Sequence, residues 1–162
     1  MNRPYIISHM MTSLDGRIDC GMTAKLPGVE EYYAALNKLN LTATLSGRVT
    51  AQLEMAKKGE FEAKNKEPLN AEKFSKKISA KEYSIAVDTK GSLLWQEHSK
   101  VPLIIITSEA VAKEYLAYLD ERNISWIACG KERINLAKAM EILAEEFGVK
   151  RLGIVGGGTI NA

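Results

Sequence analysis

Residues 101–155 read VPLIIITSEAVAKEYLAYLDERNISWIACGKERINLAKAMEILAEEFGVKRLGIV, and two hydrophobic periods alternate along them. The runs VPLIIIT (101–107), ISWIAC (124–129) and KRLGIV (150–155) are short and rich in β-branched residues, the pattern of strands. IIIT and GIV are apolar throughout rather than alternating, as expected of strands covered on both faces of a parallel sheet. Between them, EAVAKEYLAYLDER (109–122) sets Val111, Tyr115, Tyr118 and Leu119 three and four residues apart, with Ser108 placed to cap the first turn. NLAKAMEILAEEF (135–147) repeats the arrangement with Leu136, Met140, Leu143 and Phe147, between Asn135 as cap and Gly148 as stop. Strand, helix, strand, helix, strand predicts right-handed crossovers in one open sheet, an α/β fold.

Outward from that core, YIISHM (5–10), TATLS (42–46) and YSIAVD (83–88) are further strand candidates, with a helix over 30–39 and a shorter one from near Arg48. Residues 54–82 hold eight lysines and six glutamates with little apolar material, which predicts a solvated helix or a mobile surface excursion. At 162 residues the chain suits a single domain, 1–162, with one sizeable core. Its formal charge of +2 lacks the electrostatic footprint of a nucleic-acid binder, so no nucleic-acid partner is expected. Cys20 and Cys129 show neither CxxC spacing nor the density of a disulfide scaffold, and read as reduced thiols. With no secretory leader pattern and no long apolar span, the expectation is a cytoplasmic protein without membrane contact. The two histidines, His9 and His98, are remote in sequence, so no metal site is expected.

Three places mark one sheet edge. Gly156-Gly157-Gly158-Thr159 follows GIV, and glycines where a strand enters a helix let an anion approach unpaired N–H groups; the same run also fits a tight turn with no ligand. It is not GxGxxG, so the standard dinucleotide fingerprint is absent. Ser-Leu-Asp-Gly after the first strand puts Asp15 where ligands of open α/β sheets bind, or in an ordinary Asx turn. SGRVTAQLE (46–54) again runs from strand to helix, offering Gly47 and Thr50 at that edge.

In this order, RPYIISHMMTSLDGRID, SGRVT, VDTKG (87–91) and VGGGTIN resemble the reductase domain of riboflavin biosynthesis, a member of the dihydrofolate-reductase-like superfamily. The resemblance covers nearly the whole chain. It implies a three-layer αβα fold, a mostly parallel central sheet with helices on both faces. It also implies an NADPH-dependent reductase that converts the ribosyl group of a phosphoribosylamino-uracil to a ribityl chain. Cofactor contacts would fall on Met11 or Thr12, on Thr50 in the G-x-x-T that opens at Gly47, on Thr89, and on Val155 to Thr159, with Gly156, Gly157 and Gly158 cradling the pyrophosphate; apart from the resemblance, Arg48, at a helix start beyond the second strand, is the cation expected near the adenosine ribose of a phosphorylated cofactor. Asp15 and Ser13 would face the nicotinamide and the substrate, Asp15 as the catalytic carboxylate. Lys38 would align near the family arginine that grips the substrate phosphate.

Departures accompany the likeness. Many family members carry a glutamate where this chain has Val155, which neither accepts a hydrogen bond nor moves a proton, and the family's acidic residue in the helix after G-x-x-T is matched approximately by Glu54. These keep open reduction of another pterin-like heterocycle, or a non-catalytic nucleotide-binding member. The zinc-deaminase signature that accompanies the reductase in bifunctional proteins, HxE with PCxxC, is absent. The family's glycine loop leads into a helix and further strands that often form the dimer contact. The expectation is therefore a C-terminally truncated domain that binds NADPH weakly or not at all, and a homodimer when full length.

Overall fold

The structure is a computed structural model that describes residues 2–18, 21 and 25–161. Seven strands form one sheet: β1 (Tyr5–Ser8), β2 (Ala43–Ser46), β3 (Lys73–Ser75), β4 (Tyr83–Val87), β5 (Leu103–Thr107), β6 (Ser125–Ala128) and β7 (Arg151–Gly156). The strand order is β1-β7-β2-β4-β5-β6-β3. All neighbours are parallel except β3, which runs antiparallel to β6. The described helices are α1 (Val29–Asn37), α2 (Arg48–Glu54), α3 (Lys113–Glu121), α4 (Leu136–Glu145) and α5 (Gly158–Asn161).

The alternation of side chains along the central strands explains the layers. Ile85, Ile104, Ile106 and Ile127 point to one face and pack with Ala139, Met140 and Leu143 of α4. Their neighbours Ala86, Ile105, Trp126 and Ala128 point to the other and pack with Ala51 of α2 and with Tyr115, Leu116 and Leu119 of α3. Both faces of β5 are thus covered, which is why its sequence is an unbroken apolar run. Each buried isoleucine there contributes about 1.5–3 kcal/mol. The fold is the mostly parallel α/β sandwich that the resemblance implies.

One helix start differs from the expectation. The helix expected over 109–122 begins at Lys113, with Ala112 at its N-cap. Ser108 does not cap it: its buried hydroxyl donates to the Thr89 carbonyl at 2.9 Å, tying the end of β5 to the loop after β4. Of the two forms expected for residues 54–82, a solvated helix or a surface excursion, the structure shows the excursion. It is irregular and pinned by β3 and by bridges pairing Lys57 with Leu94 and Pro68 with Ala112. Phe61 packs against Tyr115 and Tyr118, and Phe74 meets Phe147 edge-on. Sparse apolar residues in that segment suffice because each lands in a cluster already built by the helices.

Asn135 caps α4 as read, accepting from Lys138 N at 3.1 Å, and Gly148 follows in the left-handed region at φ 67°. Cys129 is fully buried, and burial, with Glu72 second, pushes its thiol up to about 11. Cys20 lies outside the described residues.

Candidate functional site

Because β1, β2, β4 and β7 are mutually parallel, the segments that follow them emerge at one edge of the sheet. At that edge the turn after β2 meets the turn after β7. Gly47 N donates to Gly156 O at 3.1 Å, bringing the two backbones into contact. The pairing of β2 with β7 shifts there: Leu45 lies opposite Ile154 but Ser46 opposite Gly156, leaving Val155 as an extra residue. Such a bulge re-aims side chains beside a site.

The glycines are needed for this approach. A Cβ on Gly156 would stand 2.5 Å from Thr50 Cγ2 and 2.8 Å from its Oγ1. Gly157 has φ +96°, a backbone conformation that side-chain-bearing residues rarely adopt. Thr50 is thus packed directly on the glycine loop, 3% exposed. Gly158 and Thr159 are exposed and open α5, so their N–H groups belong to a first turn that has no intrahelical acceptor.

Asn161 fastens the loop. Its side chain donates to Gly157 O at 2.9 Å and accepts from Ser8 Oγ at 2.7 Å, tying the glycine turn to the end of β1. A second fastening sits after β4. Asp88, fully buried, accepts from the amides of Ser92 and Leu93, each at 2.8 Å, and from the Tyr115 hydroxyl at 3.0 Å. Burial first, and then the Asp88 carboxylate, push the Tyr115 phenol far above its ordinary range. Neither residue carries a role in the sequence reading. A polar side chain at a fixed offset from the glycine run, and an aspartate closing a strand, were the available signals.

Beside this junction lies a cleft of about 570 Å3. Its floor is the sheet face that bears Thr44, Ser46 and Ser84; Thr44 and Ser84 are register partners, and Ser46 lies two residues on along β2. One wall is α1, which has no buried residue yet turns Val29, Tyr32, Tyr33 and Leu36 toward the cleft. That helix is held by His9, whose ring stacks on Tyr32 at 4.6 Å, while the Tyr32 hydroxyl donates to His9 O at 3.2 Å. Met10, Met11 and Ile18 of the loop after β1, Glu54 and Met55 at the end of α2, and Val155 on the bulge complete the lining. A larger cavity, about 640 Å3, opens elsewhere, lined by Lys100, Pro102 and Arg122 among others. None of the predicted site residues lines it, whereas Met11, Glu54 and Val155 line the cleft.

The structure gathers some predicted residues and leaves others apart. Gly47, Thr50, Gly156 and Gly157 meet, with Gly158 and Thr159 continuing the same turn. Thr89 lies in the loop after β4, where its carbonyl accepts from Thr107 and Ser108. Arg48 reaches that loop, donating to Ser92 Oγ at 3.1 Å and pairing with Glu60 at 2.7 Å. Thr12, Ser13 and Asp15 lie on the loop whose Met10 and Met11 line the cleft, but they do not line it themselves. Asp15 is in an exposed turn, accepting from Ser13 Oγ and pairing with Arg17 at 3.3 Å. Lys38 is an exposed C-cap of α1 and is also outside the lining. Among the described residues no group of three or more histidine, cysteine or acidic side chains is placed to hold a metal ion, and no helix is long and apolar enough to cross a membrane.

Riboflavin biosynthesis reductase Rib7 of Saccharomyces cerevisiae superposes with a TM-score of 0.60 at 20% identity, over 98% of this chain and 64% of that one. RibD of Acinetobacter baumannii gives 0.59 at 14%, over 98% and 41%. The diaminohydroxyphosphoribosylaminopyrimidine deaminase/5-amino-6-(5-phosphoribosylamino)uracil reductase of Thermotoga maritima gives 0.52 at 16%, over 96% and 39%. The chain thus spans less than two thirds of each of these proteins, and at such identities the likeness shows the fold. Among curated protein sequences nothing matches. The family described as the RibD C-terminal domain matches residues 4–162, and the chain belongs to it.

Proposed function

We propose that the chain is a nicotinamide-dependent reductase acting in riboflavin biosynthesis on a pyrimidine that carries a ribosylamino group, with NADPH as the cofactor. The observation that carries this reading is the adjacency of two differently built surfaces. One is the glycine junction of Gly47, Gly156 and Gly157 on Thr50, which leads into the exposed Gly158 and Thr159, first-turn residues whose amides have no intrahelical acceptor. The other is the hydroxyl-floored cleft next to it, sized for a heterocycle. A dinucleotide lying over the junction fits because no side chain intervenes between Thr50 and the turn, and the amides of Gly158 and Thr159 would bind its phosphates. Arg48, on exchanging Glu60 for a ligand, would pair with a phosphate on the adenosine ribose. When bound, the nicotinamide supplies the hydride.

The chain's own residues have positioning work to do. Tyr32 and Met55 hold a planar ring against the floor, and the hydroxyls of Thr44, Ser46 and Ser84 orient its polar groups. Of the two carboxylates marked in the sequence, Glu54 lines the cleft while Asp15 faces solvent. Glu54 is therefore the group placed to hold or transfer a proton at its carboxylate oxygens, and Asp15 shapes the loop through Ser13 and Arg17. Val155 on the bulge favours a second reading, reduction of a different heterocycle, since it offers no polar contact where many relatives carry glutamate. The assembly proposed is a homodimer, read by sedimentation.

The test is direct: titrate the chain with NADPH and NADH, following Trp95 and Trp126 fluorescence. Then follow NADPH oxidation with 5-amino-6-(5-phosphoribosylamino)uracil, with its dephosphorylated form and with dihydrofolate. Saturable binding that prefers NADPH, with turnover of a ribosylaminouracil, is expected. Absence of binding to both nicotinamides refutes the proposal, and turnover of dihydrofolate alone selects the second reading.

A further inference from the structure

We infer that Glu60 sets how strictly the chain prefers a phosphorylated nicotinamide cofactor: its carboxylate competes with a ribose 2′-phosphate for Arg48, and accepts from the 2′-hydroxyl of a cofactor that lacks the phosphate. The inference rests on the reductase reading of the same site and adds to it the residue that weighs the two cofactors against each other.

Arg48 is held in place from two sides. It opens α2 directly after Gly47, whose amide reaches Gly156 in the glycine junction. Its Nε donates to Ser92 Oγ at 3.1 Å, and the Ser92 amide is fixed in turn on the buried Asp88 carboxylate at 2.8 Å. Its Nη2 meets Glu60 Oε1 at 2.7 Å. A planar guanidinium anchored through Nε holds its terminal N–H groups in a set direction, which suits a carboxylate or a phosphate.

The backbone presents Glu60 to that guanidinium. Two main-chain bonds flank it: Lys57 N donates to Leu94 O at 2.8 Å and Phe61 N to Ser92 O at 2.7 Å. The Phe61 ring then packs against Tyr115 and Tyr118. A ligand that takes Arg48 from Glu60 therefore turns one side chain aside, while the pinned segment keeps the carboxylate beside the guanidinium. Side-chain exposures of 40% for Arg48 and 63% for Glu60 leave both groups open to a ligand lying on this surface. The two charges read the ribose in opposite senses. The guanidinium pairs with a 2′-phosphate and the carboxylate repels it, whereas a free 2′-hydroxyl donates to the carboxylate. With both present, the preference for the phosphorylated cofactor is narrower than Arg48 alone would give.

Calorimetry at low salt measures binding of NADPH and NADH to the parent chain, to Glu60→Gln and to Glu62→Gln. Glu62 is an exposed carboxylate two residues on that does not pair with Arg48, so its variant controls for net charge. Glu60→Gln keeps the size of the side chain and removes one negative charge. It should raise the ratio of the NADH Kd to the NADPH Kd by about three- to tenfold, the scale of one charge-assisted contact at an exposed site, through tighter binding of NADPH. That gain should shrink as salt is raised, because its origin is charge. A rise of less than about threefold, a rise without tighter NADPH binding, or an equal rise in Glu62→Gln overturns the inference and leaves the reductase reading standing. Binding of neither cofactor to the parent chain refutes the reductase reading and the inference together.

Discussion

Replacing Asp88 by alanine tests whether the loop after β4 is held by one buried carboxylate. Oδ2 of Asp88 accepts from Ser92 N, Leu93 N and the Tyr115 hydroxyl, and Oδ1 is 3.4 Å from Ser92 Oγ. Tyr115 is not stranded by the change, because its single hydroxyl proton can go to Leu93 O instead, at 3.1 Å, and its oxygen still accepts from Trp95 Nε1. The two amides lose their acceptor, at about 1–3 kcal/mol each. Relief from keeping a carboxylate out of water offsets part of this. The net expectation for Asp88→Ala is a loss of about 3 kcal/mol, or a fall in Tm of about 6–12 °C for a domain of this size. Asp88→Asn keeps an oxygen for the two amides and the phenol, and its new N–H group faces Ser92 Oγ, which can accept; it should cost about 1 kcal/mol. Urea unfolding followed by Trp95 fluorescence, with an unchanged m value, gives both numbers. If Asp88→Ala stays within about 1 kcal/mol of the parent, or if the asparagine variant is as damaged as the alanine one, the carboxylate is not what holds this loop.

Three further outcomes follow from the site and the core. Gly156→Ala drives a methyl group into Thr50 and should cost about 1–3 kcal/mol, with weaker NADPH binding; adding Thr50→Ala, which removes the two nearest atoms, should recover part of the loss in thermal denaturation. Asn161→Ala breaks bonds to Ser8 and Gly157 at a half-buried site, so a stability change of about 1 kcal/mol is expected together with a several-fold rise in the NADPH Kd, and an unchanged Kd would show that the loop does not need its fastening. For alkaline stability, the unfolded chain releases the Cys129 proton near pH 9 while the folded chain holds it to about 11. The corresponding stabilisation is complete below pH 9 and is lost as pH rises through 11, by at most about 3 kcal/mol. Tyr115 adds to the loss above pH 10, and Cys129→Ala should flatten the slope between pH 9 and 11 in urea titrations at stepped pH.

What the sequence made legible is what local patterns encode. The runs around Ile104–Ile106 and Ile154 announced buried parallel strands, and Asn135 and Gly148 bracketed α4, because a cap and a left-handed stop act within a few residues. Ser108 misled for the same reason. It has the chemistry of a cap, but the Thr89 carbonyl, 19 residues earlier and brought close by the β4–β5 pairing, competes for its hydroxyl. β3 escaped notice because Lys73-Phe74-Ser75 has no apolar run, and its antiparallel partner, β6, lies some fifty residues on. In the site, the glycines and Thr50 stood out as strand-to-helix turns. Ser84 beside Thr44, Asn161 on Ser8 and Asp88 under Tyr115 each join residues 27 to 153 apart or depend on strand register, which no local period records.

The two halves of the site therefore differ in how they are specified. The glycine junction is set by backbone: its shape follows from the absence of side chains at Gly47, Gly156 and Gly157, and Thr50 contributes chiefly by packing, so tolerance to substitution there should be low whatever the ligand. The cleft is set by side chains on elements that are stable without them. Thr44 and Ser84 sit on central strands whose opposite-face neighbours Ala43, Leu45 and Ile85 supply the burial, and Glu54 is exposed at a helix end. Substitutions on the floor and at Glu54 can thus change what the cleft accepts at little cost to the fold. The valine on the bulge is the same kind of change: it alters the chemistry offered to a ligand while the backbone that presents it keeps its course between β2 and the glycine turn.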